Sequence, residues 1–251
     1  MTRDIPRIDI KDYDSMVKAL EITGLNIVYI PEHLRDEELQ LIAVRDTGEA
    51  IGYIFDPSEE VQLAAVKQNG LAIYHIYDNG ISSLSEEVQL AAVKQEGCAI
   101  KAMFENNDFP SEEVQLAAVE NDPEAIEYIC KYITPSEEVQ LAAVNQNCFT
   151  ILYIDDPSEE VQLASINNDI FNIDYISDPC EEVLQQLINI VKRIAYKNCY
   201  EDEIRDAIDN LKFVDGKLVY SSSSTSYSYV LDYASNQCDA LFKLLLSKVT
   251  H

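Results

Sequence analysis

The sequence predicts an all-α protein: an α-solenoid of about eight short helix-turn-helix repeats of 22–27 residues, closed by a C-terminal cap. Three observations carry this reading. The stretch PSEEVQLAAV occurs at Pro57–Val66, returns unchanged at Pro110–Val119 and Pro135–Val144, and loses only its proline at Ser85–Val93. A helix-start signal opens each copy, and a second apolar segment with isoleucines three apart follows it. Aligned on the last apolar residue of the motif, Leu20, Val44, Val66, Val93, Val119, Val144, Ile166 and Ile188 follow one another at steps of 24, 22, 27, 26, 25, 22 and 22 residues.

Residues 1–10 are an N-terminal lead, residues 11–178 the repeats and residues 179–251 the cap. The lead, MTRDIPRIDI, has no signal-peptide apolar stretch, and no apolar run approaches the ~18 residues of a membrane span, so a cytoplasmic protein is expected. Within the repeats, the start signals read DPSE at Asp56–Glu59 and Asp156–Glu159, TPSE at Thr134–Glu137, SLSE at Ser83–Glu86 and DPCE at Asp178–Glu181. An N-cap Asp, Ser or Thr, a proline at the first helical position and a glutamate at the third would form a capping box. Phe109 before Pro110 breaks that pattern, which predicts a weaker cap there.

The helix body VQLAAV is apolar nearly all round, with Gln62 the interruption in its first full copy, so it belongs between neighbours, with alanines permitting close approach. Four residues past the aligned position stand Gly24, Gly48, Gly70 and Gly97, later replaced by Pro123, Cys148 and Ile170; a glycine there suits a left-handed helix end. The second helix follows, with isoleucines at 27, 51, 73, 100, 126, 151 and 173 beside Tyr29, Tyr53, His75, Ala102, Tyr128, Tyr153 and Tyr175. Six residues cannot hold a helix in water alone, so stacking between copies must stabilise it. Each copy recurs because it is the packing surface for the next.

The SEEVQLAAVKQNGLAIYHI pattern, over about Lys11 to Asp178, resembles the tandem α-hairpin repeats classed as a domain of unknown function in microbial and large-virus genomes. That resemblance implies architecture alone, since the family carries no assigned activity. The prolines at unit starts and the Ile/Tyr/Ile second helix depart from its pattern.

From Cys180 the repeat dissolves into a longer helix, EEVLQQLINIVKRIAYKN, and then a second, EDEIRDAIDNLKF, with an acidic first turn. FVDGKLVY at Phe213–Tyr220 holds the Asp-Gly of a tight turn, marking a candidate β-hairpin within 213–230. A last helix spans LDYASNQCDALFKLLLSKV.

Charge is the outlier: 45 acids against 18 bases leave −27. Residues 1–178 hold 35 acids and 10 bases, so the repeats own the imbalance. Such a field repels nucleic acid and anionic lipid and attracts basic protein surfaces. Six cysteines show no CxxC pair or zinc spacing and read as reduced, mostly buried thiols. The histidines at 33, 75 and 251 share no spacing. No phosphate loop, HExxH, calcium loop or G-x-S-x-G elbow appears, so no catalytic residue, metal or cofactor is expected and the chain reads as non-enzymatic.

The regular charged feature is a glutamate pair at each helix start, among them Glu59/Glu60, Glu86/Glu87, Glu112/Glu113, Glu137/Glu138 and Glu159/Glu160, with Asp155 and Asp156 alongside. Its simplest reading is structural: first-turn carboxylates favour the helix dipole by about 0.3–1 kcal/mol each. The sharper reading comes from register. Copies stacked about 8–10 Å apart would carry a carboxylate every ~5 Å, comparable in order with nucleic-acid phosphates. The leading expectation is therefore a protein-binding protein with an acidic edge, an inhibitor that fills the basic nucleic-acid channel of a partner; phage proteins that block host defence nucleases are one setting for that design. The alternative is a scaffolding module that binds through the solenoid face or the tyrosine-rich cap, where Tyr227 and Tyr229 are candidates among 15 tyrosines and no tryptophan.

Overall fold

Six of the long helices begin one residue after a side chain that caps them. In the computed structural model, which describes residues 8–197, 211–214 and 217–220, the cap is a serine in five successive helices. Ser58, Ser85, Ser111, Ser136 and Ser158 adopt extended backbone, and each Oγ accepts from the N–H three residues on at 3.4–3.5 Å. Asp36 does the same for its helix at 2.9 Å. The capping register thus differs from the expected one by two residues: proline precedes the cap, and the glutamate pair occupies the first two helical positions. Serine wins because its hydroxyl reaches the third N–H from an extended backbone, which the preceding proline tolerates. Phe109 is immaterial for the same reason, since Ser111 caps at 3.4 Å like the others.

The chain forms two compact units, residues 1–153 and 154–251. The first contains long helices α1 (Tyr13–Ile22), α2 (Glu37–Asp46), α3 (Glu59–Gln68), α5 (Glu86–Gln95), α7 (Glu112–Asn121) and α9 (Glu137–Gln146), each packed on the next. Between them run the short helices. Gly24–Tyr29, Gly48–Tyr53 and Cys148–Tyr153 are 3₁₀ helices, whereas α4 (Ala72–Asp78), α6 (Ile100–Glu105) and α8 (Ala125–Tyr132) are α-helical. Unit length sorts them. Repeats with steps of 25–27 residues carry the α form and those with steps of 22–24 the 3₁₀ form. A 3₁₀ helix advances about 2.0 Å per residue against 1.5 Å, so a shorter repeat covers the same stacking distance with fewer residues.

The short helices form a second layer against the long ones, and the isoleucine ladder lies between: Ile27, Ile51, Ile73, Ile100, Ile126 and Ile151 are all fully buried with Val44, Val66, Val93, Val119 and Val144. At each junction one extended residue turns the chain: Thr47, Asn69, Glu96, Asp122 or Asn147, with φ between −148° and −139°. Asn69, Asp122 and Asn147 end the long helix and also cap the short one, their Oδ1 accepting from the N–H two residues on at 3.0–3.2 Å.

The glycines past this junction are not left-handed; among the described residues the only glycine with positive φ is Gly80, in the Asp78–Gly80 turn. They serve close approach instead. A Cβ on Gly48 or Gly70 would stand 2.6 Å from the carbonyl oxygen of Ala65 or Ala92 in the next long helix. The Gly48 N–H donates to Gln68 Oε1 at 2.7 Å and that of Gly97 to Asn121 Oδ1 at 2.7 Å, so the last residue of each following helix clips the preceding turn.

The second unit contains α10 (Glu159–Asn168), a 3₁₀ helix at Ile170–Tyr175 and α11 (Glu181–Lys197) around Val161, Ile166, Ile173, Val183 and Leu187. Strands β1 (Leu211–Val214) and β2 (Lys217–Tyr220) pair antiparallel, Val214 opposite Lys217, which leaves Asp215 and Gly216 as the two connecting residues. The hairpin therefore starts two residues before the expected Phe213. The expected final helix, and the stretch 221–230, lie outside the described residues. Cys98, Cys130, Cys148 and Cys180 form no disulfide and are half-buried rather than buried. No described helix is long and apolar enough to cross a membrane.

Candidate functional site

In the first unit the glutamate pairs open α2, α3, α5, α7 and α9, which are consecutive neighbours, so five pairs succeed one another along one edge. Glu59, Glu60, Glu86, Glu87, Glu112, Glu113, Glu137 and Glu138 are all exposed. Each pair stands at the positive end of a helix dipole, an attraction that favours the helix.

The two members of a pair differ in duty. Glu37 accepts from the Ser58 hydroxyl, and Glu86 accepts from that of Ser111. In those repeats the first glutamate therefore ties one helix start to the cap of the next, holding successive N-termini in register. The second glutamate reaches back to the preceding helix in two repeats: Glu38 accepts from the Tyr13 hydroxyl at 3.0 Å, and Glu60 pairs with Arg45 at 3.7 Å. At about two-thirds exposure on both sides, the Arg45–Glu60 pair is weak and opens to another ligand at little cost.

The opposite ends of the long helices carry the counter-charge unevenly. Arg45 and Lys67 lie in the last turns of α2 and α3 and Lys94 in that of α5, but the matching positions of α7 and α9 are Glu120 and Asn145. The acidic edge is thus partly offset across the width of the early repeats, one base against two glutamates, and not offset in this way in the later ones. Between α2 and α3 a shallow cleft of about 460 Å³ is lined by Arg45, Glu60, Leu63, Ala64, Lys67 and Gln68. It holds no pairing of a nucleophile with a base.

In the second unit, Asp155 and Asp156 lie in the turn before α10, and Glu159 and Glu160 open that helix; all four are exposed. Asp156, like Asp56 in the first unit, takes a left-handed backbone, with φ of 51° and 48°. Glu159, Cys180 and Glu182 also stand close together there. Burial raises the Cys180 thiol pKa, which works against the thiolate a metal ion would need. Tyr227 and Tyr229 lie outside the described residues.

Sequence reasoning missed an aromatic and apolar rim on the short-helix side of the first unit. Phe55 is 74% exposed, Phe109 58% and Tyr53 50%. Tyr29, Phe149 and Leu152 are exposed as well. The tyrosine ladder was legible, but not that its 3₁₀ segments leave Tyr29 and Tyr53 exposed; Phe55 and Phe109 lie in the connections to the next long helices. Set against known protein families, curated proteins and solved structures, the chain matches none, so its site rests on this geometry alone.

Proposed function

We propose that the chain is a non-enzymatic binding protein whose acidic edge engages a basic protein surface, acting as an inhibitor in the nucleic-acid channel of its partner. One observation supports this above the others: five glutamate pairs, on consecutive helices of one unit, all exposed and partly cross-linked by the Glu37–Ser58 and Glu86–Ser111 contacts. A pre-ordered row of charge loses little side-chain entropy on binding, so more of its electrostatic attraction is retained as affinity. An anti-defence protein of a phage is the biological setting that best suits such a device.

The test is affinity capture from lysate at 50 and 300 mM salt, with the retained proteins assayed for nucleic-acid binding. Capture should fall by at least about ten-fold at the higher salt, and the variant with Glu59, Glu60, Glu112, Glu113, Glu137 and Glu138 changed to Gln should lose it at both. Capture that the variant keeps at low salt would discard the acidic edge. The exposed aromatic rim favours a second reading, a scaffold that binds through the short-helix face; its captured partners would survive 300 mM salt.

A further inference from the structure

The short-helix face contains an arrangement that the acidic edge does not explain. Lys101 on α6 holds its Nζ 5.7 Å from the centre of the Tyr128 ring on α8, and the same Nζ lies 3.7 Å from Glu105 Oε1. A cation between a ring face and a carboxylate is held by two attractions at once. Two further tyrosines neighbour its carboxylate and its ring. Tyr74 on α4 is within electrostatic reach of Glu105, Tyr128 and Tyr132, and Tyr153 is within reach of Glu124, Glu127 and Tyr128. Tyr132 is fixed by stacking on Phe104, 5.1 Å between centroids and 3° from parallel, and Lys131 stands 5.4 Å from its centre. Tyr74, Tyr128 and Tyr153 are thus supplied by three short helices, α4, α8 and Cys148–Tyr153, with α6 placing Lys101 and Glu105 between the first two.

We infer that Tyr74, Tyr128 and Tyr153, with Glu105 and Glu127, form a docking site for an arginine on an extended cationic segment of a partner protein, and that Lys101 occupies the site in the free chain as a stand-in. Arginine fits better than lysine. Its guanidinium is planar, stacks on a ring and forks to a carboxylate, whereas an ammonium is a point charge that water competes for. Lys101 and Glu105 are each 41% exposed, so the lysine can swing into solvent when a guanidinium arrives. Charge complementarity selects the occupant: the site lies in the repeat region that carries nearly all of the −27, which rules against an acidic segment.

This inference deepens the proposed function by naming the side chain that the partner supplies, and it stands on residues separate from the acidic edge. The test is fluorescence anisotropy of the full chain with two labelled probes, a (Gly-Arg)5 peptide and a (Gly-Lys)5 peptide. The wild type should bind the arginine probe about three- to five-fold more tightly than the lysine probe. The double variant Tyr74→Leu, Tyr128→Leu should erase that preference, Tyr128→Phe should keep it, and Lys101→Met should raise affinity for the arginine probe about three-fold. Equal binding of the two probes by the wild type, or a preference that survives the double variant, overturns the tyrosine site. If the double variant does not fold, by circular dichroism, the Lys101→Met result decides: no gain in arginine affinity overturns the proposal. The six-glutamine variant separates the two readings. Weakening of both probes alike by that variant, with the arginine preference intact, supports both; unchanged binding sinks the acidic edge and leaves the tyrosine site standing.

Discussion

Asp108 does more for this fold than its place in an unremarkable NNDFP stretch suggests. In four repeats the motif glutamine donates to the carbonyl of the proline five residues back: Gln62 to Pro57, Gln115 to Pro110, Gln140 to Pro135 and Gln162 to Pro157, at 2.9–3.0 Å. The repeat with SLSE lacks that proline, and Gln89 donates instead to Asp108 Oδ2 at 3.0 Å. The same carboxylate accepts from the Tyr77 hydroxyl at 2.7 Å, the Leu84 N–H at 2.9 Å and the Ser83 hydroxyl at 3.2 Å. Burial, and then the bond to Asp108, push the Tyr77 hydroxyl pKa up, which keeps it a donor at all ordinary pH. Removing the acceptor would strand several buried donors at once, each at a cost of about 1–3 kcal/mol. Asp108→Ala should therefore lower stability by about 3 kcal/mol in a urea melt, against less than ~0.5 kcal/mol for the exposed Asp78→Ala. None of this was legible in the sequence, because the partners lie 19–31 residues away and belong to a different repeat.

At the level of the element, the repeats themselves were plain: the long helices and the buried isoleucine ladder follow from residue types at fixed spacing, whereas the caps fell two residues later than expected, on serines. The glycine positions were visible but their reason was not, since a left-handed helix end and a tight contact between helices both demand the smallest residue. Substitution distinguishes them. At Gly70 a methyl group would meet the Ala92 carbonyl at 2.6 Å and Glu96 Cβ at 2.9 Å, so Gly70→Ala should destabilise by about 1–3 kcal/mol. At Gly52, within a 3₁₀ helix, the nearest atoms belong to His75 at 3.4 Å, and Gly52→Ala should be neutral or stabilising by about 0.5 kcal/mol through loss of unfolded-chain freedom. Paired thermal melts read both. The choice between α and 3₁₀ geometry was also hidden, because LNIVYI and EAIEYI share one pattern and only the length of the whole repeat separates them.

Across the molecule, the dominant quantity is charge. At −27 the chain repels itself, and that repulsion falls as ions shorten the screening length from about 30 Å at 0.01 M to about 3 Å at 1 M. The melting temperature should rise by several degrees between 10 and 500 mM sodium chloride, and the six-glutamine variant should show a smaller rise; a salt-independent Tm would mean that the exposed carboxylates are already neutralised in the fold. Charge and repeat number were read directly from composition and period. The division at 153/154 was not, because the motif continues past it with only its last two residues changed, as PSEEVQLASI.

Where the short helix is 3₁₀, the single extended residue that joins it to its long partner leaves no slack: Thr47 or Asn147 must close one helix and open the other without a spare peptide between. The return path is different, with seven residues at 79–85 between α4 and α5 but four at 133–136 between α8 and α9. Connection length thus varies less at the junction than along the return path. A foreign loop, an epitope or a fluorophore anchor grafted there, between Asn79 and Leu84, enters where nature has already varied the length; the same graft at Asn147 would unlatch two helices together.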